Sequence, residues 1–249
     1  MTPYFKRLQN KWNKFGQDDP LWAILSEVNK KNKKWDKKEF FKTGEYEIDN
    51  IIKYINSFGL NVHTNRALDF GCGVGRLTQQ LANYFEEVHG VDISQSFLDL
   101  ANEYNQNKEK IYYHLNENSD LKLFSNSYFN FIYTNITLQH IKPKISKKYI
   151  REFLRILNPG GVLIFQLPAP FKINDFKNFN FKNLFTFFAQ YTPRWLLDLL
   201  HPLVHFDMYG IEKKQIIKLL ENNGAKIIDI KEDYSASQKW RGYRYFVKK

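Results

Sequence analysis

Cysteine is almost missing from this chain. Cys72 is the only one in 249 residues, so no intrachain disulfide can form, and a reducing cytoplasm is the expected compartment. Its place inside a glycine loop reads as that of a small packing residue rather than a nucleophile. No stretch approaches the roughly 20 apolar residues that a membrane-spanning helix needs. The opening M-T-P-Y-F-K-R-L-Q-N-K-W carries charge with no apolar core behind it, so a soluble protein is expected. Acidic residues are in deficit, 26 against 37 lysines and arginines, which leaves a net charge of +11. That charge suits a nucleic acid, a membrane surface or an acidic small substrate. The lysines are scattered with asparagine, isoleucine and phenylalanine throughout, so charge alone selects no partner. Neither a repeat nor a low-complexity tract interrupts the chain, and the oligomeric state is not legible.

What is present begins with aromatic residues, 17% of the chain, crowded into two stretches, Trp12 to Tyr46 and Phe171 to Tyr209. Such stretches are expected to build pocket walls or a lid. Lys30 to Lys38 reads as a solvated face, since the neighbouring aromatics are too irregular for a nucleic-acid stacking platform. Glu45 to Phe58 places Ile48, Ile51, Ile52 and Ile55 on one helical face, with Gly59 as the stop. Beyond it, apolar strands ending at Phe70, Asp92, Leu115, Thr134 and Leu167 alternate with helical patterns, the last strand following the turn Asn158-Pro159-Gly160-Gly161. A helix over 211–223 and two strands, Ala225 to Ile230 and Tyr243 to Val247, complete the pattern.

This alternation predicts an α/β fold: a doubly wound, mostly parallel sheet of seven strands. One domain is expected, with an N-terminal helical arm over 1–60, a cofactor-binding core over 61–167, an aromatic helical insertion over 168–210, and a C-terminal helix and strand pair over 211–249.

The chain is organised around A-L-D-F-G-C-G-V-G-R-L-T-Q-Q-L-A, Ala67 to Ala82, a strand, a glycine loop and a helix. Alternate glycines let a ligand approach the backbone, and the helix presents unpaired N–H groups. A dinucleotide fingerprint would need glycine at position 76, where Arg76 stands. On the next strand, Asp92 falls about where an open α/β nucleotide site places the carboxylate for the ribose hydroxyls.

The pieces D-F-G-C-G-V-G-R, G-V-D-I-S, Y-F-N-F-I-Y with L-Q-H-I, and L-N-P-G-G-V-L-I-F stand in this order. Together they resemble the class I S-adenosylmethionine-dependent methyltransferases, in particular the small bacterial group with an L-D-F-G-C-G-x-G-R loop, over most of the chain from Trp12 to Tyr245. The resemblance implies a Rossmann-like methyltransferase fold, S-adenosylmethionine as cofactor and S-adenosylhomocysteine as product. It implies that Asp69 helps hold the methionine amino group and that the backbone of Gly71, Gly73 and Gly75 passes close to the cofactor. Arg76, which ends this loop, counts with the cofactor-binding residues. Asp92 then matches the ribose-binding carboxylate and Ile93 the apolar neighbour of the adenine. The adenine edge falls to Asn118 or Ser119, with Asp120 close by, and Asn135 and Ile136 match positions lining the methionine side and the transferred methyl. Plainer readings stand beside these: Asp69 and Asp92 as caps, Arg76 as a first-turn surface residue, His140 as a buried, hydrogen-bonded structural histidine.

Methyl transfer needs a nucleophile aligned with the methyl carbon, and a base when that nucleophile is a neutral hydroxyl. The candidates for a catalytic role are His140, His201 and His205. Pro202 argues against a regular helix through the last two, and no metal is expected there. The fourth strand ends in T-N-I-T, unlike the Asn/Asp-Pro-Pro-Tyr/Phe of amino-group methylating enzymes, and no acidic cluster suits a catechol-type metal site. Related enzymes with such termini are often linked to cell-surface glycan, lipid or secondary-metabolite pathways. The expected acceptor is therefore a small molecule or glycan precursor, methylated on a sugar hydroxyl or an anionic phosphate-type oxygen, in polysaccharide biosynthesis. An RNA-binding methyltransferase and a catalytically idle cofactor-binding module are the alternatives; nucleic acid is not the expected partner. Phenylalanine beside lysine in the insertion also suits a weak contact with a membrane surface.

Overall fold

The computed structural model describes residues 1–60, 62–170, 207–236 and 240–249. The expected insertion lies almost wholly outside these residues, as do His201 and His205. Seven strands form one sheet: β1 (Arg66–Phe70), β2 (Glu87–Asp92), β3 (Ile111–Leu115), β4 (Phe129–Thr134), β5 (Leu157–Pro168), β6 (Lys226–Asp233) and β7 (Gly242–Lys248). Their order is β3-β2-β1-β4-β5-β7-β6. The strands β1 to β5 pair in parallel, and β7 runs antiparallel to both β5 and β6. The order reverses between β1 and β4, and a doubly wound sheet opens a ligand crevice where its order reverses.

Helices follow from caps and stripes. In α3 (Lys37–Asn56) the Asp36 carboxylate accepts the Glu39 N–H at 2.9 Å, an N-cap. Buried Phe40, Ile48, Ile51 and Ile55 recur at helical spacing along that helix. Its isoleucines join Leu77 and, from the short α4 (Thr78–Leu81), Leu81 against Phe131, Tyr133 and Ile164 on one face of the sheet. The other face is covered by α6 (Pro143–Ile156) and α7 (Lys213–Glu221), whose Phe153, Ile150 and Ile216 pack with Leu68, Ile132 and Phe165. α5 (Gln95–Tyr104) follows β2 and is capped by Ser94. The N-terminal arm adds α1 (Pro3–Asp18) and α2 (Pro20–Ile24). It builds a third apolar cluster in which Trp35, Phe40 and Ala23 meet Val74 of the glycine loop and Phe97 of α5. α1 is fastened to α5, Asn13 accepting from the Ser94 hydroxyl at 2.9 Å and from the Ser96 N–H at 3.3 Å. Most of Lys30 to Lys38 is exposed, with Trp35 buried among the lysines.

The turn expected at Asn158 to Gly161 is instead a bulge within β5. Leu157 pairs with Phe129 and Val162 with Phe131, so one residue of β4 faces four of β5, which loop out around Gly160 at φ +79°.

Candidate cofactor cleft at the carboxyl ends of the strands

Leaving β1, the chain takes three left-handed glycine steps, Gly71 (φ +78°), Gly73 (+53°) and Gly75 (+83°), a region that L side chains rarely enter. A Cβ on Gly71 would collide with the Thr137 side chain, and one on Gly73 would lie 2.6 Å from Ile24 Cδ1. The Gly71 and Cys72 N–H groups donate to the Val91 carbonyl at 2.7 and 3.1 Å, tying the loop to β2. Asp92, at the end of β2, accepts the Gly73 N–H at 2.9 Å on one oxygen and the Ser94 N–H at 2.9 Å on the other. Burial raises its pKa above the ordinary carboxyl value, against the pull of the Ser94, Gly73 and Ile93 N–H groups.

These elements surround a cleft of about 920 Å³, counted with its open mouth. Of the residues singled out from the sequence, Gly71, Gly73, Arg76, Asp92, Ile93, Asn135, Ile136 and His140 border it. Gly75 does not; its Cα faces the Tyr113 ring beneath the loop. Asp69 also lies behind the loop, 1% exposed, accepting the Thr78 hydroxyl at 2.7 Å. Burial raises its pKa to about 7, although Thr78 and Arg76 favour the ionised form. Arg76 is not a surface residue: it is 4% exposed and paired with Glu47 of α3 at 2.7 Å.

In the loop after β3 it is Asn116 that borders the cleft, not Asn118 or Ser119. The Asn118 carbonyl is taken by the Tyr149 hydroxyl, and the Ser119 hydroxyl accepts from Lys148 at 2.8 Å, so both are engaged by α6. The Asn116 amide holds the loop by donating to the carbonyl of Asp120 at 3.0 Å. The register pairing Asp92 with Leu115 sets Asn116 level with Ile93. From the arm, Phe5, Leu8 and Trp12 of α1 with Ala23 and Ile24 of α2 supply an apolar wall.

His140 is 8% exposed, and its ring meets Trp12 edge to face with centroids 5.2 Å apart. Burial lowers its pKa to about 4, so the ring is neutral near pH 7. Nδ1 lies 2.7 Å from the Asp207 carbonyl, which only accepts, so Nδ1 carries the proton. Nε2 then keeps a lone pair, which accepts from the Gln139 amide at 3.2 Å. Among the described residues no three His, Cys, Asp or Glu side chains are grouped to hold a metal, and no helix is long and apolar enough to cross a membrane.

The lining suits a nucleoside with an extension along the bare glycine backbone. The Gly73 and Ser94 N–H groups each take one oxygen of the Asp92 carboxylate, and each oxygen keeps acceptor capacity for a ligand hydroxyl. Apolar residues flank it, and the glycines strip side chains from the path beyond. The fold is that of solved S-adenosylmethionine-dependent methyltransferases, and residues 68–165 match the family described as a methyltransferase domain. Neighbours of this fold were solved with S-adenosylhomocysteine and with S-adenosylmethionine bound.

Among its relatives, a putative methyltransferase of Bacillus subtilis, YqeM, is 27% identical over 111 residues, 44% of this chain and 45% of that one. The match therefore spans less than half the length of that relative. The ubiquinone biosynthesis O-methyltransferase of Coxiella burnetii is 25% identical over 180 residues, 72% of this chain and 70% of that one. The fold is also that of magnesium protoporphyrin IX methyltransferase from Synechocystis PCC 6803, solved with bound S-adenosylhomocysteine. The TM-score is 0.65 at 16% identity, covering 98% of this chain and 99% of that one.

Proposed function

We propose that this protein transfers a methyl group to an oxygen atom of a small acceptor in the cytoplasm. The acceptor is a sugar hydroxyl or an anionic phosphate-type oxygen of a glycan precursor, which puts the reaction in polysaccharide biosynthesis. The observation that carries the oxygen assignment is His140, a neutral imidazole on the cleft wall whose tautomer is fixed by the Asp207 carbonyl. An acceptor hydroxyl can compete with the Gln139 amide for Nε2 and hand over its proton as the new bond forms. The relative from Coxiella burnetii, named as an O-methyltransferase, supports the same atom type. The net charge of +11 favours an anionic acceptor.

In this reading Asp92 accepts the ribose hydroxyls, Ile93 lies against the adenine and Asn116 meets its edge. Gly71, Gly73, Asn135 and Ile136 border the methionine end. Asp69 acts from behind, holding the loop through Thr78. When bound, the cofactor supplies an electrophilic methyl group on a sulfonium. What the chain adds is alignment, which in favourable intramolecular cases is worth roughly 7 to 11 kcal/mol. The apolar wall of Phe5, Leu8 and Trp12 keeps water away from the aligned groups.

The test is a mass-spectrometric screen of nucleotide-activated sugars and phosphate-bearing glycan precursors for the gain of one methyl group. Methyl gain on oxygen in one of these supports the proposal. Turnover confined to nitrogen acceptors or to RNA refutes it.

A further inference from the structure

Glu47 borders no part of the cleft, yet it joins two of the loops that do. It sits on α3, its side chain 17% exposed. Oε1 accepts from the Tyr133 hydroxyl at 2.7 Å and from the Asn135 amide at 2.6 Å, and Oε2 accepts from Arg76 Nη2 at 2.7 Å. Arg76 Nη1 also donates to Thr43, one turn earlier on α3, at 3.2 Å. Between Thr43 and Glu47, Gly44 lets the helix press onto the loop, because a Cβ there would collide with the Arg76 carbonyl. α3 thus grips the end of the glycine loop through Arg76 and the end of β4 through Asn135.

The Asn135 end of this link is under strain. The next residue, Ile136, has φ +57°, a left-handed conformation that is a strained outlier for a β-branched residue. Such a turn persists only where its neighbours over-determine it. Here the Asn135 side chain is held at both ends, donating to Glu47 and accepting from the Ser235 hydroxyl at 3.3 Å, while its carbonyl accepts from Thr137 at 3.0 Å.

Burial works to raise the Glu47 pKa, and Arg76, Arg244 and the Tyr133 hydroxyl outweigh it, so the carboxylate is ionised at neutral pH.

We propose that Glu47 is a positioning residue for the cofactor: docked by α3, it sets through Arg76 and Asn135 the gap between the glycine loop and the strained turn at Ile136. The N-terminal arm is then part of the cofactor site without touching the cofactor. The proposal rests on S-adenosylmethionine occupying this cleft, with its methionine end between those two loops.

The experiment is calorimetric titration of S-adenosylhomocysteine into the full chain and its variants, each paired with urea unfolding. Glu47→Ala removes the acceptors for Arg76, Tyr133 and Asn135. It should weaken binding by roughly 10- to 100-fold, the range by which outer-shell partners act at other sites. Glu47→Gln keeps the shape but cannot serve Arg76 and Asn135 together, so its affinity should fall between those of wild type and Glu47→Ala. It gives the same readout if the alanine variant fails to fold. Ile48→Ala, next on α3 and fully buried, should destabilise the fold while leaving affinity at the wild-type value.

The proposal is overturned if both glutamate variants bind like wild type. It is equally overturned if Ile48→Ala loses as much affinity as they do, which would make Glu47 merely structural. Failure of the cofactor placement looks different: wild type itself would take up no S-adenosylhomocysteine, or Asp92→Ala would bind it unimpaired.

Discussion

Packing under the glycine loop can be tested with one double-mutant cycle. Gly75 has φ +83°, and a Cβ built on it would overlap the Tyr113 hydroxyl while lying 3.1 Å from Tyr113 Cζ. Gly75→Ala should therefore carry two costs. The left-handed conformation is worth about 1–2 kcal/mol for an L residue. Overpacking against the tyrosine adds about 1–3 kcal/mol. Among the described residues the buried Tyr113 hydroxyl meets no hydrogen-bond partner, so Tyr113→Phe should be near neutral or slightly stabilising. With the hydroxyl gone, an alanine at 75 escapes the overlap but still lies 3.1 Å from Cζ, so the double variant should keep the conformational cost of about 1–2 kcal/mol and a lesser part of the overpacking. Urea unfolding at 25 °C of the four proteins measures the coupling, expected at about 1–3 kcal/mol. Additivity within about 0.5 kcal/mol would refute the steric reasoning and with it the tight seat of the loop on β3.

Two further outcomes are expected. Asp69 has a folded-state pKa raised to about 7 from 3.8, so the folded protein binds more protons than the unfolded one between these values and loses stability as pH rises through them. Asp69→Asn lacks this group, so urea unfolding should show its stability relative to wild type improving by about 2–3 kcal/mol between pH 5 and pH 8; a gap independent of pH would mean that Asp69 is ionised throughout. His140→Ala should lower kcat for a hydroxyl acceptor by roughly 10²- to 10⁴-fold in steady-state assays and leave an anionic acceptor nearly untouched. Equal losses on both would remove the base role.

The loop and its two flanking strands were legible because their signals are local: alternating glycines, an apolar run before them, and an acidic residue closing the next strand. Edges were less so. Helix α6 begins at Pro143, whose fixed φ suits a first turn, a start that apolar spacing does not mark. The bulge in β5 looked like a turn because Pro159-Gly160-Gly161 has turn chemistry whichever strand takes up its flanks. Asn118 and Ser119 were displaced from the cleft by Tyr149 and Lys148 of α6, contacts made about 30 residues away in sequence. Glu47 was illegible for the same reason on a larger scale. Its partners Arg76, Tyr133 and Asn135 lie 29, 86 and 88 residues away, and in the helix pattern it was only one more polar residue beside the isoleucine stripe.

The central claim is that the carboxylate at the end of β2 receives the ribose of S-adenosylmethionine. Calorimetry of wild type and Asp92→Ala with S-adenosylhomocysteine tests it most directly. Two hydrogen bonds to a carboxylate, at about 1.5–3 kcal/mol each, predict one-site binding that weakens at least about a hundredfold in the variant. Unchanged affinity in a variant that unfolds in urea like wild type would contradict the account.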